Sequence, residues 1–138
     1  MAKDIIHDPV KNALIKDGWT IVAEQFQVEY EELEIFADIV AERSPLLAEK
    51  NGRKIIVEIK TFAGRSFMRE FEQAIGQYEV YLEILELAQL HYELYMAISE
   101  LAYETFFQRK GTSTIVERKQ LKLCVVDVMR EEVVTWQP

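Results

Sequence analysis

The chain has 138 residues, 49% of them apolar and 29% charged, with a formal net charge of −8. That length and balance fit one globular domain spanning residues 1–138 and exclude disordered, collagen-like and low-complexity chains. No stretch approaches the roughly 18 uncharged apolar residues of a membrane span, and Met1-Ala2-Lys3-Asp4 meets acid before any apolar run, so the sequence predicts a cytoplasmic protein with no membrane contact. Cys124 is the lone cysteine. Inside Leu121-Lys122-Leu123-Cys124-Val125-Val126 it reads as a small core residue. The acid is concentrated: residues 71–108 hold seven Asp or Glu and no Lys or Arg. Outside that segment the chain is nearly balanced, so free affinity for nucleic acid is expected to be weak and salt-sensitive.

Taken in chain order, Asp8-Pro9 reads as an N-cap with Pro at the first helical position, opening a helix over 4–17 that Gly18 stops. Trp19–Val28 and Leu33–Ala41 are rich in β-branched and aromatic residues and read as strands. Asn51-Gly52 is a strong signal for a two-residue hairpin turn. It leads into a third strand, Lys54–Phe62. After Gly64 the period changes to 3.6, with Phe67, Phe71, Ile75, Tyr78, Leu82 and Leu85 on one stripe and Glu72, Glu79, Glu83 and Glu86 on another, which predicts a long helix over 66–88. Tyr92–Ser99 reads as a strand and Glu100–Phe107 as a helix capped by Ser99. Gly111-Thr112-Ser113-Thr114 reads as a loop before a short basic helical turn. Leu121–Val128 and Glu132–Trp136 close the chain as a hairpin. The order α-β-β-β-α-β-α-β-β describes an α/β domain with a mixed central β-sheet flanked by helices.

Two of these strands carry charge where none belongs. In Lys54–Phe62 the alternation puts Glu58 and Lys60 on one face with Ile56 and Phe62, and Ile55, Val57 and Ile59 on the other. Asp38 lies in Ile35-Phe36-Ala37-Asp38-Ile39-Val40-Ala41, again apolar on both faces. A strand apolar on both sides belongs inside a sheet, where an isolated charge costs several kcal/mol. Two carboxylates and a lysine there have a functional explanation in a bound Mg²⁺, with Lys60 orienting water or stabilising charge on a phosphate. The alternative is a core ion pair, or strands that end early and leave the three residues in solvent.

Asp38 followed by Glu58-Ile59-Lys60, between an amino-terminal helix and a long one, resembles the PD-(D/E)XK nuclease superfamily, and Gln77-Tyr78-Glu79-Val80-Tyr81 matches the QxxxY element of its RecB-like members. The whole chain is similar to the XisH family of fdxN-element excision controlling factors of cyanobacteria. That likeness is carried by Asp4-Ile5-Ile6-His7-Asp8, Ala13-Leu14-Ile15-Lys16-Asp17-Gly18-Trp19, Val57-Glu58-Ile59-Lys60-Thr61-Phe62, Ala74-Ile75-Gly76-Gln77-Tyr78 and Thr135-Trp136. The resemblance implies a restriction-endonuclease-like fold and DNA phosphodiester chemistry dependent on Mg²⁺ or Mn²⁺, with Asp38 and Glu58 as metal ligands and Lys60 as the catalytic lysine. It implies a part in programmed DNA excision beside a site-specific recombinase and an XisI-like companion. Gln77 and Tyr81, four apart and so on one helix face, would place water or phosphate. Arg65 and Arg69, just past the strand, would contact DNA phosphate.

His7 shares a helix side with Val10 and Leu14 and so faces inward, either toward the metal site or as a buried structural histidine. The acidic net charge favours a homodimer or partner that brings basic faces together. A tight Asn51-Gly52 turn, however, sets Pro45 opposite Glu58 and Arg65 opposite Asp38, which separates the two carboxylates. An irregularity at Ser44-Pro45 would restore their proximity, and without one Glu42 becomes the candidate carboxylate. A catalytically silent scaffold that docks a recombinase or XisI through its acidic segment is the competing reading.

Overall fold

The computed structural model describes residues 5–43 and 52–137. Their order is α1 (His7–Lys16), β1 (Thr20–Tyr30), β2 (Leu33–Arg43), β3 (Arg53–Ile59), α2 (Phe67–Leu87), β4 (Glu93–Ser99), α3 (Glu100–Ala102) running into a π-helical turn (Tyr103–Phe107), α4 (Lys110–Arg118), β5 (Leu123–Asp127) and β6 (Glu132–Gln137). The fold is mixed α/β. Six strands form one sheet in spatial order β1-β2-β3-β4-β5-β6, with β3-β4 and β4-β5 parallel and the remaining pairs antiparallel. No helix among the described residues is long and apolar enough to cross a membrane.

Strand alternation divides the core. Ile55, Val57, Ile59, Ala97, Cys124 and Val126 meet Val10, Ala13 and Leu14 of α1 on one face. Ile56, Leu94, Met96, Ile98 and Val125 meet Phe71, Ala74, Tyr78 and Leu85 of α2 on the other. Both faces of β3 and β4 are therefore covered, as the apolar runs in these strands require. On α2 the predicted apolar stripe faces the sheet, while Glu72, Glu83 and Glu86 are exposed. Ser66 caps that helix, accepting from the Arg69 N–H, and Ser99 accepts from the Ala102 N–H as expected.

Three expectations are corrected. The first helix begins at His7 with Ile6 at its N-cap and no side-chain cap, so Asp8 is not the cap. Pro9 falls in the first turn, ahead of the first helical bond from Val10 N–H to Ile6 O, where a missing donor costs nothing. Gly111–Thr114, read as a loop, belongs to α4, so the described residues hold one helical element more than the predicted order. Thr112 is buried, Val116 packs on the core, and the Ser113 and Thr114 hydroxyls bond back to Lys110 O, so tertiary contacts override weak local propensity. The tight-turn register also fails: Ile39 pairs with Val57 and Arg43 with Arg53, leaving residues 44–52 between the strands. Asn51 and Ser44-Pro45 lie outside the described residues.

Backbone irregularity clusters beside these strands. β1 carries a register shift between Ile21 and Ala23. Gln25 and Phe62 take φ of 57° and 55°, a conformation side chains usually avoid. Gln89 and Gln120 also have positive φ, but at helix ends, where bonds back to Leu85 and Glu86 and to Val116 and Glu117 explain it.

Candidate functional site

β3 runs antiparallel to β2 and parallel to β4, and the two partnerships part company at Glu58. Backbone pairing with β2 is regular to Ile39 opposite Val57, whereas pairing with β4 continues through Ile59 opposite Ala97 and a Lys60 N–H to Ala97 O bond of 2.9 Å. Continuing the β2–β3 register brings Asp38 level with Glu58. There side chains replace the ladder: the Asp38 N–H donates to Glu58 Oε1 at 3.1 Å and the Ile59 N–H donates to Asp38 Oδ2 at 2.8 Å. The two carboxyl groups thus reach across the fork between diverging strands, each held by a backbone N–H of the opposite strand.

Their electrostatics follow from that position. Glu58 is only 6% exposed. Burial, and then the neighbouring Asp38 charge, push its carboxyl up to about 8. Burial also raises Asp38, against the hydrogen bond from the Ile59 N–H and the neighbouring His7 and Lys60. At neutral pH the pair holds a proton that an exposed pair would have lost.

Helix α2 completes the cluster. Lys60 Nζ donates to Gln77 Oε1, and Gln77 Nε2 donates to Tyr81 Oη at 2.8 Å. Burial raises the Tyr81 hydroxyl, and the nearby Glu58 charge adds to this. Tyr78, on the neighbouring stripe, is structural: its hydroxyl donates to Leu94 O at 2.9 Å and accepts from the Lys122 N–H at 3.2 Å. An open pocket of about 260 Å³, lined in part by Lys60, Thr61, Phe62 and Gln73, adjoins the lysine. A larger groove of about 850 Å³, between the π-helical turn, α4 and the β5–β6 hairpin, contains none of the sequence-predicted site residues.

The structure thus brings together Asp38, Glu58, Lys60, Gln77 and Tyr81. Glu42 is exposed opposite Lys54, four positions along β2 from Asp38. His7 is buried, with Nε2 2.8 Å from Glu24 Oε1, and its Nδ1 has no hydrogen-bond partner among the described residues. Glu24 also accepts from Lys11 Nζ at 2.9 Å, and these two bonds hold its carboxyl below the usual range. Glu24 escaped the sequence reading, although a carboxylate inside Ile21-Val22-Ala23-Glu24 was the available signal. Arg65 and Arg69 are exposed where the loop from Lys60 enters α2.

Among the described residues, no group of three or more His, Cys, Asp and Glu forms a metal cage. Two carboxylates nevertheless fit a hard divalent cation: oxygen donors and a small ligand set suit Mg²⁺, which keeps several of its waters. A cation would also remove the repulsion that now keeps a proton on the pair.

The chain is 34% identical to an XisH family protein from Nostoc punctiforme, with a TM-score of 0.86 over 98% of this chain and 100% of that one. It is 33% identical to an fdxN element excision controlling factor protein from Anabaena variabilis, with a TM-score of 0.84 over 97% of this chain and 98% of that one. No curated protein matches it significantly. The family model described as XisH protein matches residues 1–134, and with it the chain belongs to the XisH family.

Proposed function

We propose that this protein is a metal-dependent DNA endonuclease-like factor with the restriction-endonuclease-like fold of the PD-(D/E)XK superfamily, acting in programmed excision of a DNA element. The observation that carries the reading is the fork at Glu58, where two carboxylates, a lysine and the Gln77–Tyr81 pair converge at one end of β3. Asp38 and Glu58 would hold Mg²⁺ or Mn²⁺, which supplies Lewis acidity for phosphodiester hydrolysis. Lys60, its ammonium oriented by Gln77 Oε1, stands ready to offset negative charge on a phosphate. Tyr81 fixes the Gln77 amide so that its oxygen faces the lysine. Arg65 and Arg69 hold the substrate backbone.

Plasmid nicking with Mg²⁺ or Mn²⁺ tests this: wild type nicks, while Asp38→Ala and Lys60→Ala each lose at least about a hundredfold in rate. Activity surviving both substitutions refutes the assignment. Calorimetry supplies a second readout, since Mn²⁺ binding is expected to vanish in Asp38→Asn.

A second reading is favoured by the exposed Glu72, Glu83 and Glu86 on a helix flank free of Lys and Arg. They suit docking to a basic surface on a recombinase or an XisI-like companion. Charge reversal at these positions should then abolish co-purification with the companion while leaving the metal site intact.

A further inference from the structure

Five of the cations among the described residues pair with carboxylates. Lys11 pairs with Glu24, Arg43 with Asp17, Arg53 and Lys122 with Glu93, and Arg130 with Asp127. Arg65, Arg69, Arg109 and Lys110 are exposed and make no ion pair among the described residues. They come from two distant parts of the chain, and aromatic contacts gather them. The rings of Phe67 and Phe106 stack with centroids 4.4 Å apart and planes within 1°. The Arg109 guanidinium lies 5.2 Å from the Phe106 centroid. Arg65 and Arg69 flank Phe67 in sequence, and Lys110 follows Arg109. Two acids share these segments, Glu70, whose carboxylate accepts from the Gly64 N–H, and the exposed Glu104, so the four cations remain in surplus.

This corner is tied to the candidate site. Phe67 contacts Phe62 at 5.4 Å between centroids, and Phe62 lies two residues beyond Lys60. The chain turns there through the left-handed conformation of Phe62, so the loop leaving Lys60 leads directly to the cationic corner.

We propose that Arg109 and Lys110 join Arg65 and Arg69 in a phosphate-binding surface around the Phe67–Phe106 stack, and that it grips the backbone of the DNA strand passing the Asp38–Glu58–Lys60 site. The inference rests on the nuclease-like reading. It makes α4, remote in sequence from the carboxylates, part of the substrate surface. Four phosphate contacts correspond to a log–log salt slope of about −3.6, or roughly a hundredfold loss of affinity between 50 and 200 mM salt.

Fluorescence anisotropy with a short labelled DNA duplex, in Ca²⁺ to prevent turnover, tests the surface. Arg109→Ala/Lys110→Ala should lower affinity about tenfold and flatten the salt slope by about 1.8, and Arg65→Ala/Arg69→Ala should do the same. Arg118→Ala/Lys119→Ala, at the far end of α4, serves as the control and should change neither. Arg109→Gln/Lys110→Gln repeats the measurement should the alanine pair unfold. An unchanged slope in the Arg109/Lys110 variants, an equal loss in the control, or a wild type that does not bind DNA each overturns the proposal. Nicking by wild type with unaltered slopes removes this surface and leaves the nuclease reading standing. Binding with the expected slopes but no nicking in Mg²⁺ or Mn²⁺ does the reverse.

Discussion

Glu58→Gln should stabilise the metal-free protein, and increasingly so as the pH rises. Burial beside Asp38 lifts the Glu58 carboxyl from 4.5 to about 8 in the folded state. The unfolded chain therefore ionises first. The stability conferred by the protonated group is complete below pH 4.5 and drains away as the pH climbs to 8. At 1.36 kcal/mol per pH unit, the loss between pH 5 and pH 8 is about 3 to 4 kcal/mol. That is a large share of the 5–15 kcal/mol that holds a typical domain together. Glutamine keeps an acceptor for the Asp38 N–H and adds a donor toward the Asp38 carboxylate, so its profile should be nearly flat over the same range. Urea denaturation in EDTA at pH 5, 6, 7 and 8 reads both curves. Parallel curves for wild type and Glu58→Gln would falsify the argument that this carboxyl is strained by burial. Mn²⁺ should restore wild-type stability at pH 8 and leave the variant unchanged.

Mn²⁺ binding at pH 7 should release about one proton, measured as an observed enthalpy that varies with the ionisation enthalpy of the buffer; a buffer-independent enthalpy contradicts the retained proton. Tyr78→Phe removes a hydroxyl that serves both Leu94 O and the Lys122 N–H, and should cost about 1–3 kcal/mol in urea unfolding without altering metal binding. Burial pushes the Cys124 thiol far up, so Ellman's reagent should label it only after denaturant is added. Gln120→Gly, at a φ of 52° closing α4, should gain about 0.5–1 kcal/mol by relieving the left-handed backbone.

The residues of the candidate site were legible because they broke a pattern. Asp38 and Glu58 interrupt strands that are apolar on both faces, and Lys60 follows directly after the second of them. Gln77 and Tyr81 were implied by the resemblance to the QxxxY element, and their spacing puts them on one helix face. What stayed hidden depends on contacts between distant segments. The Asn51-Gly52 signal is local and favours a tight turn, but the β2–β3 register is set by Ile39, Ala41, Ile55 and Val57 burying their side chains against α1. α4 is built from Gly, Thr and Ser, poor helix formers whose neighbours decide the outcome. Glu24 becomes the partner of His7 only when β1 lies beside α1. The approach of Phe106, with Arg109 against its ring, to Phe67 likewise joins residues almost forty positions apart, which no periodicity announces.

β1 forms one edge of the sheet and runs for 11 residues, long enough to invite a second copy to pair alongside it. The register shift near Val22 and the left-handed Gln25 break that outer row of donors and acceptors into short, misaligned pieces. A straightened β1 would gain a better ladder with β2 and expose an uninterrupted template for intermolecular strand addition. Its irregular backbone is therefore the kind of edge that opposes strand addition by a second copy.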